Sequence, residues 1–388
     1  MHNYDGIPVW GEPVQEGALT QIRTIAQEAD RVALMADHHV GYSMPIGGVA
    51  AYKNHISPSG VGYDIACGNK AVLTDMTGVE LRRRLTKFMD EIEAKISFGI
   101  GRANQEVVDH ELFDDPLWSS EVLAGHKAKA QAQLGTVGSG NRYVDLFTDE
   151  ADRVWVGVHF GSRGLGHHIA TWHLKAAGAR TGMHDPACLL EVGSELGDSY
   201  LAHMRLGGEY AYAGRDWVCG KVARILGAHI LEEVHNHHNF AWRETHDGED
   251  FWVIRKGATP AFPGQKGFVG GSMGDISVIL EGVEHEYSSL AMYSTVHGAG
   301  RVMSRTEAAG KKKGMKRMGG AVTVRMMEAW LAEQKVMLRG GGTDESPHCY
   351  KRLPEVLKLH SKTVRILHTL TPVGVLMAPA KTYDPYKD

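Results

Sequence analysis

Short apolar runs in this 388-residue chain end again and again in loops of glycine, alanine and serine. Those loops carry its histidines, arginines and acids. Glycine lets a backbone turn sharply and lets a ligand approach it closely, so each such loop is a candidate cradle. The fullest one is Ser294-Thr295-Val296-His297-Gly298-Ala299-Gly300-Arg301-Val302-Met303-Ser304-Arg305. Its arginines are planar forks of donors suited to phosphate oxygens. Its histidine can act as a phosphate acceptor, an acid–base group or a metal ligand. Taken alone, the stretch also reads as a Gly-rich turn around a hydrogen-bonded histidine.

The length allows one large domain or two. With no internal repeat, low-complexity tract or linker, one large mixed domain over residues 1–388 is the simplest organisation. A content of 43% hydrophobic and 23% charged residues is ordinary for a soluble globular protein. The net charge of −4 argues against a generally basic nucleic-acid coat but leaves room for a local basic groove. Cys67, Cys188, Cys219 and Cys349 form no CxxC pair, which fits neither a disulfide framework nor a zinc knuckle and points to a reducing cytoplasm. No signal-peptide pattern and no apolar stretch of roughly 18–20 residues is present, so the expectation is a cytoplasmic protein with no membrane partner.

Along the chain, residues 1–12 read as irregular and 14–34 as an amphipathic helix. A loop over 35–41 follows, leading into a buried strand. Helices are expected over 78–95, 119–134, 322–337 and from 354, and strands over 154–159, 251–256, 276–280 and 373–377. Residues 135–146 read as a Gly-rich loop running into a strand, and 160–166 as a Gly-Ser-Arg-Gly loop after His159. A long helical pattern from 189 to 236, broken near Gly207-Gly208, ends in a histidine cluster over 235–238. The basic run over 310–317 reads as a solvated loop that could steer a polyanion.

Two glycines bracket Asp64 and Cys67, and His159 stands at a strand end; each is open to a purely structural reading by itself. Together, Asp64, Cys67, His159 and His238 make a mixed hard and soft donor set suited to manganese, zinc or iron. Arg163, Arg255, Arg301 and Arg305 lie in or beside the small-residue loops. A metal set with phosphate-binding loops suggests phosphoryl or nucleotidyl transfer. The chain lacks a KxDG motif and an HExxH motif, so histidine is the candidate for any covalent nucleotide intermediate.

In order, SPSGVGYDIACG, GTVGSGNRYVDL, VHFGSRGLGHH, HHN, RKGATPA, GGSMGD and HGAGRVMSR resemble the motifs of the RtcB family of RNA-splicing ligases, over residues 35 to 376. The resemblance implies an α+β fold in which β-sheets flanked by helices surround a central metal and nucleotide cleft. It implies that His297 attacks the α-phosphate of GTP to form a histidine–GMP adduct. GMP then passes to an RNA 3′-phosphate, itself obtainable from a 2′,3′-cyclic phosphate, and a 5′-hydroxyl RNA end completes the joint. Cys67 would bridge two manganese ions, one completed by His159 and His238 and the other using Asp64; zinc and cobalt suit the same donors. Asn141, Asp145, Ser272, Met273, Gly298, Ala299, Gly300 and Tyr350 fall on nucleotide-pocket positions, and Arg163 and Arg301 on RNA-phosphate contacts. Some relatives also work with an accessory activator.

The chain departs from the family pattern at Arg142 and Met377, and Asp145 stands where the family usually has glutamate. Arg142 follows Asn141 where the family has a ligand histidine, and arginine stays protonated and cannot ligate a metal. Met377 stands where a lysine contacts the guanine. These departures leave two alternatives: a diverged metal-dependent nucleotidyltransferase or phosphoesterase, and a non-catalytic RNA- or nucleotide-binding protein of the same fold.

Overall fold

Residues rich in valine, isoleucine and aromatics build two sheets around which the helices pack, because branched and flat side chains suit a pleated, half-buried surface. The computed structural model describes residues 1–180, 182–313 and 316–380. The larger sheet has eight strands. Seven run in the order Ile230–His237, Gly68–Thr77, Arg153–Phe160, Tyr143–Thr148, Val364–Pro379, Ser277–Gly282 and Lys266–Val269. The eighth, Met337–Gly341, pairs parallel with Val364–Pro379. The Asn69 amide donates to the Phe268 carbonyl at 2.9 Å, and the Phe268 amide donates to Asn236 Oδ1 at 3.0 Å. These bonds tie one edge strand towards the other, so the sheet curls towards a barrel and both edges are protected.

Phe147, Trp155, Phe268, Ile279 and Leu370 fill the inside of the curl. Gly157 lies against the rings of Phe147 and Phe268, where a Cβ would stand 2.7 Å from one and 2.8 Å from the other. The outer face packs Val72, Val144, Val156 and Val158 against Phe88 and Met89 of the helix Gly78–Lys95 and Val218 and Val222 of the helix Glu195–Leu226. The smaller sheet runs His2–Tyr4, Ile7–Val9, Arg31–His39, Ile46–Tyr52, Glu249–Lys256, Asn239–His246. Its two faces belong to two apolar clusters, one with the helix Glu16–Ile25 and one with the helix Leu353–Leu359.

Several local expectations give way to tertiary pairing. The first helix stops at Ile25, and Arg31–His39 is a buried strand rather than the end of a helix and a loop. Residues 2–4 and 7–9 pair as short strands. Of 119–134, only Lys127–Gln133 is α-helical, and a helix already begins at Arg163 inside the expected 160–166 loop. The long helix runs unbroken from Glu195 to Leu226 and stops at Gly227, whose φ of +72° forms the C-cap. Gly207 and Gly208 do not break it; they let Ile65 and Phe240 pack against its backbone. Ile230–His237 is then a strand, so the histidine cluster stands at a strand end and not a helix end. In the basic run, Lys311–Lys313 pairs with Lys316–Met318, while Gly314 and Met315 lie outside the described residues. Among the described residues no helix is long and apolar enough to cross a membrane.

Candidate functional site

Three neighbouring strands of the large sheet deliver the donors. Cys67 immediately precedes Gly68–Thr77, His159 is the penultimate residue of Arg153–Phe160, and His238 immediately follows Ile230–His237. The pairings Gly68↔Phe160 and Gly68↔His237 bring those ends level. The amides of His238 and Asn239 both donate to the Cys67 carbonyl, at 2.8 and 3.3 Å. As a result one ligand-capable atom from each of Cys67, His159 and His238 lies within 4.8 Å of the other two, and all three residues are buried.

The chemistry of these donors fits a divalent ion. His159 Nδ1 meets the Asn141 carbonyl at 2.9 Å, so it carries the ring proton and Nε2, 3.3 Å from Cys67 Sγ, is left as the donor. Burial pulls His159 down to about 3, opposed by the Asn141 carbonyl and reinforced by the nearby Arg142 charge. Burial, with the neighbouring His297 and His159, holds His238 well below the ordinary range, and its Nδ1 is buried without a hydrogen-bond partner. Burial and then the Asp64 carboxylate push the Cys67 thiol well up. Two neutral imidazoles and a sulfur that keeps its proton until a cation displaces it form a soft, closely spaced set.

Arg215 of the long helix reaches all three ligand segments. Its Nη1 donates to the carbonyls of Ala66 at 3.0 Å and Phe160 at 2.5 Å, and its Nη2 meets His237 Nδ1 at 2.8 Å. Each partner is the chain neighbour of a ligand. Ala66 itself adopts φ +59°, the turn that aims Cys67 inward.

Asp64 does not join the three. Its carboxylate Oδ2 is ion-paired with Arg142 Nη2, and Arg142 Nη1 donates to the Ser139 carbonyl at 2.9 Å. Burial raises Asp64, but the Arg142 charge, the Cys67 thiol and His159 together hold it below the usual carboxylate range.

His297 immediately follows the strand Ser294–Val296 and lies edge-on to His238, ring centroids 4.8 Å apart. Asp37, fully buried on the strand Arg31–His39, accepts from His297 Nδ1 at 2.6 Å and from the amides of His297 and Gly298 at 3.0 and 3.2 Å. Gly300, with φ +80°, packs its Cα directly against the Asp37 backbone; any Cβ there would collide with it. That contact explains the glycine of HGAGR.

One cavity runs from this histidine past the metal-type group. It is lined by every residue assigned from the sequence to metal or nucleotide, from Asp64 and Cys67 through Asn141, Asp145, Ser272 and Met273 to Gly298, Ala299, Gly300 and Tyr350. Asp145 and Tyr143, two apart on one strand, face its inner end opposite Val375 and Met377. Burial pushes the Asp145 carboxyl well up, with the Leu376 amide pulling it partly back; Asp145 Oδ1 and the Tyr143 hydroxyl are buried without partners.

Arg301 also lines the cavity, but its Nε donates to Met303 O at 3.2 Å, its Nη1 to the Tyr350 hydroxyl at 2.8 Å, and its Nη2 to Asp344 O at 2.8 Å. It therefore holds Tyr350 and the turn after His297. Arg163 does not line the cavity: its Nε donates to Thr136 Oγ1 at 3.1 Å and its Nη2 to Gly99 O at 2.9 Å. Arg255 is buried in a fork to Glu244 and supports Ser294. Asp37 and Arg215 went unnoticed in the sequence because they carry no local motif; only the fold connects them to the site.

The sequence profile of the family described as tRNA-splicing ligase RtcB matches residues 18–378. The RNA-splicing ligase RtcB of Escherichia coli K12 is 32% identical, over 95% of this chain and 96% of its own length. The RNA-splicing ligase RtcB of Mycobacterium tuberculosis is 31% identical over 88% and 95%, and the tRNA-splicing ligase RtcB of Thermococcus kodakarensis 29% identical over 92% and 91%.

Proposed function

This chain belongs to the RtcB family, and from that premise we propose that it is an RNA ligase that joins a 3′-phosphate or 2′,3′-cyclic phosphate end to a 5′-hydroxyl end with GTP. The observation that carries the reading is the pairing of Asp37 with His297 Nδ1, which leaves the Nε2 lone pair as the nucleophile beside the Cys67, His159 and His238 group. His297 Nε2 attacks the α-phosphorus of GTP, forming an N–P bond as pyrophosphate leaves. An oxygen of the RNA 3′-phosphate then displaces His297 and takes the GMP. The 5′-hydroxyl of the second end attacks the RNA phosphorus, loses its proton and expels GMP.

Cys67, His159 and His238 would hold a divalent ion, manganese with zinc and cobalt as alternatives, which supplies Lewis acidity and charge neutralisation to the phosphates. Asp37 orients His297 and keeps its proton on Nδ1 through the reaction. Gly298, Ala299 and Gly300 let phosphate approach the main chain, and Asp145, Ser272, Met273 and Tyr350 bound the space for the base. Purified protein with GTP and Mn²⁺ is expected to join a 3′-phosphate RNA to a 5′-hydroxyl RNA, and His297→Ala to abolish joining. Nucleotide turnover without joining would favour a diverged nucleotidyltransferase or phosphoesterase. Binding without any turnover would favour a non-catalytic RNA-binding homologue.

A further inference from the structure

We propose that the centre holds one divalent ion per chain, and that the guanidinium of Arg142 occupies the place of a second cation. The inference rests on the reading of Cys67, His159 and His238 as the metal group. Among the described residues, those are the one group of three or more histidine, cysteine or acidic side chains whose ligand atoms all lie within 4.8 Å of one another. Asp64 is the nearest further carboxylate on the same loop, and its charge is engaged by Arg142 Nη2. A guanidinium cannot be deprotonated in a protein and cannot donate a lone pair, so Arg142 competes with a metal for the carboxylate and cannot itself be a ligand.

The cation is built in. Arg142 Nη1 is anchored on the Ser139 carbonyl, and the side chain lies across Gly138, where a Cβ would collide with it and with Arg163. Arg305 closes over Gly140 from the other side, with Nη2 3.1 Å from the place a Cβ would take. The glycines of the 138–140 loop thus make room for three arginines; Arg142 pairs with Asp64, beside Cys67, and Arg305 pairs with Glu345 and Asp344. A second dication at Asp64 would face this fixed positive charge and compete with it for the carboxylate. The guanidinium instead places a fixed positive charge on Asp64 beside the single ion, with no dependence on metal concentration.

The test is metal stoichiometry, read without activity. Apo-protein is equilibrated with excess Mn²⁺, and separately Co²⁺, desalted, and analysed by native mass spectrometry and elemental analysis. One ion per chain is expected for the wild type, and two for Arg142→His. Two ions in the wild type would overturn the inference while leaving the metal-centre reading intact; none would overturn both. One ion in a folded Arg142→His would show that Arg142 is not what excludes the second. Should that variant fail to fold, Asp64→Asn decides the matter. One retained ion supports the assignment of Asp64 to Arg142, and loss of the ion contradicts it.

Discussion

Asp37 Oδ2 lies 2.6 Å from His297 Nδ1, although 260 residues separate the two in the chain. The same oxygen accepts the main-chain amides of His297 and Gly298, so ring and turn are fixed by one carboxylate. In Asp37→Asn the amide NH₂ would donate to Nδ1 and move the ring proton to Nε2, which blocks the nucleophile. Single-turnover adduct formation is expected to fall by on the order of 10²–10⁴-fold. Burial raises the Asp37 carboxyl, but the charge and hydrogen bonds of His297 outweigh it and hold it below 3.8. The stability it contributes is therefore present above about pH 4 and is lost as pH falls through its lower folded value. The gap in urea midpoint between wild type and Asp37→Asn should narrow as pH falls from 7 to 3; a gap that stays constant over that range would contradict this.

Arg215 should act on the metal rather than on the nucleotide. Its donors hold the main chain beside Cys67 and His159 and the ring beside His238. In Arg215→Met, Co²⁺ affinity by chelator competition is expected to weaken by about 10–100-fold, the range seen when supports of metal ligands are removed. Arg215→Lys should recover part of it. A variant that unfolds without any step in metal affinity would mark a purely structural residue.

The inner end of the cavity presents Asp145 Oδ1 and the Tyr143 hydroxyl without partners, and buried polar groups that lack a partner discriminate strongly among ligands. Asp145→Ala is expected to raise the nucleotide KM for adduct formation by about 10-fold or more while leaving metal stoichiometry at its wild-type value. An unchanged KM would remove Asp145 from the nucleotide site.

Lys256 is buried with its ammonium on the carbonyls of Tyr42 and Ser59, at 2.5 and 3.3 Å, and burial pulls it down to about 7. Between about pH 7 and 10.5 the unfolded chain therefore holds a proton that the folded chain has lost, and this group makes folding more favourable as pH rises. The slope cannot exceed about 1.4 kcal/mol per pH unit. Urea unfolding at pH 7.5 and 9.5 should show a rise in wild-type stability relative to Lys256→Met. A flat difference would contradict it.

The strands Tyr143–Thr148 and Arg153–Phe160 were legible because β-branched and aromatic residues fill runs bounded by glycine. The cavity walls were legible because HGAGR, GSGN and GGSMGD announce close backbone approach. Ile230–His237 was not: Ile-Leu-Glu-Glu-Val has helical preference, and pairing with Gly68–Thr77 overrides it. Reading Arg31–His39 as helix and loop hid Asp37, since only a strand carries its carboxylate under a turn 260 residues away. Arg215 looked like one more helical arginine until the helix was packed beneath three strand ends. The replacement at Arg142 was visible; its pairing with Asp64 was a matter of tertiary placement.

The most direct measurement is to incubate the protein with α-labelled GTP and Mn²⁺ and to map any label that survives denaturation. One acid-labile phosphoramidate per chain is expected, on the peptide containing His297, absent in His297→Ala and much reduced in Asp37→Asn. A label on another residue, or none in protein shown to hold its metal, would contradict it.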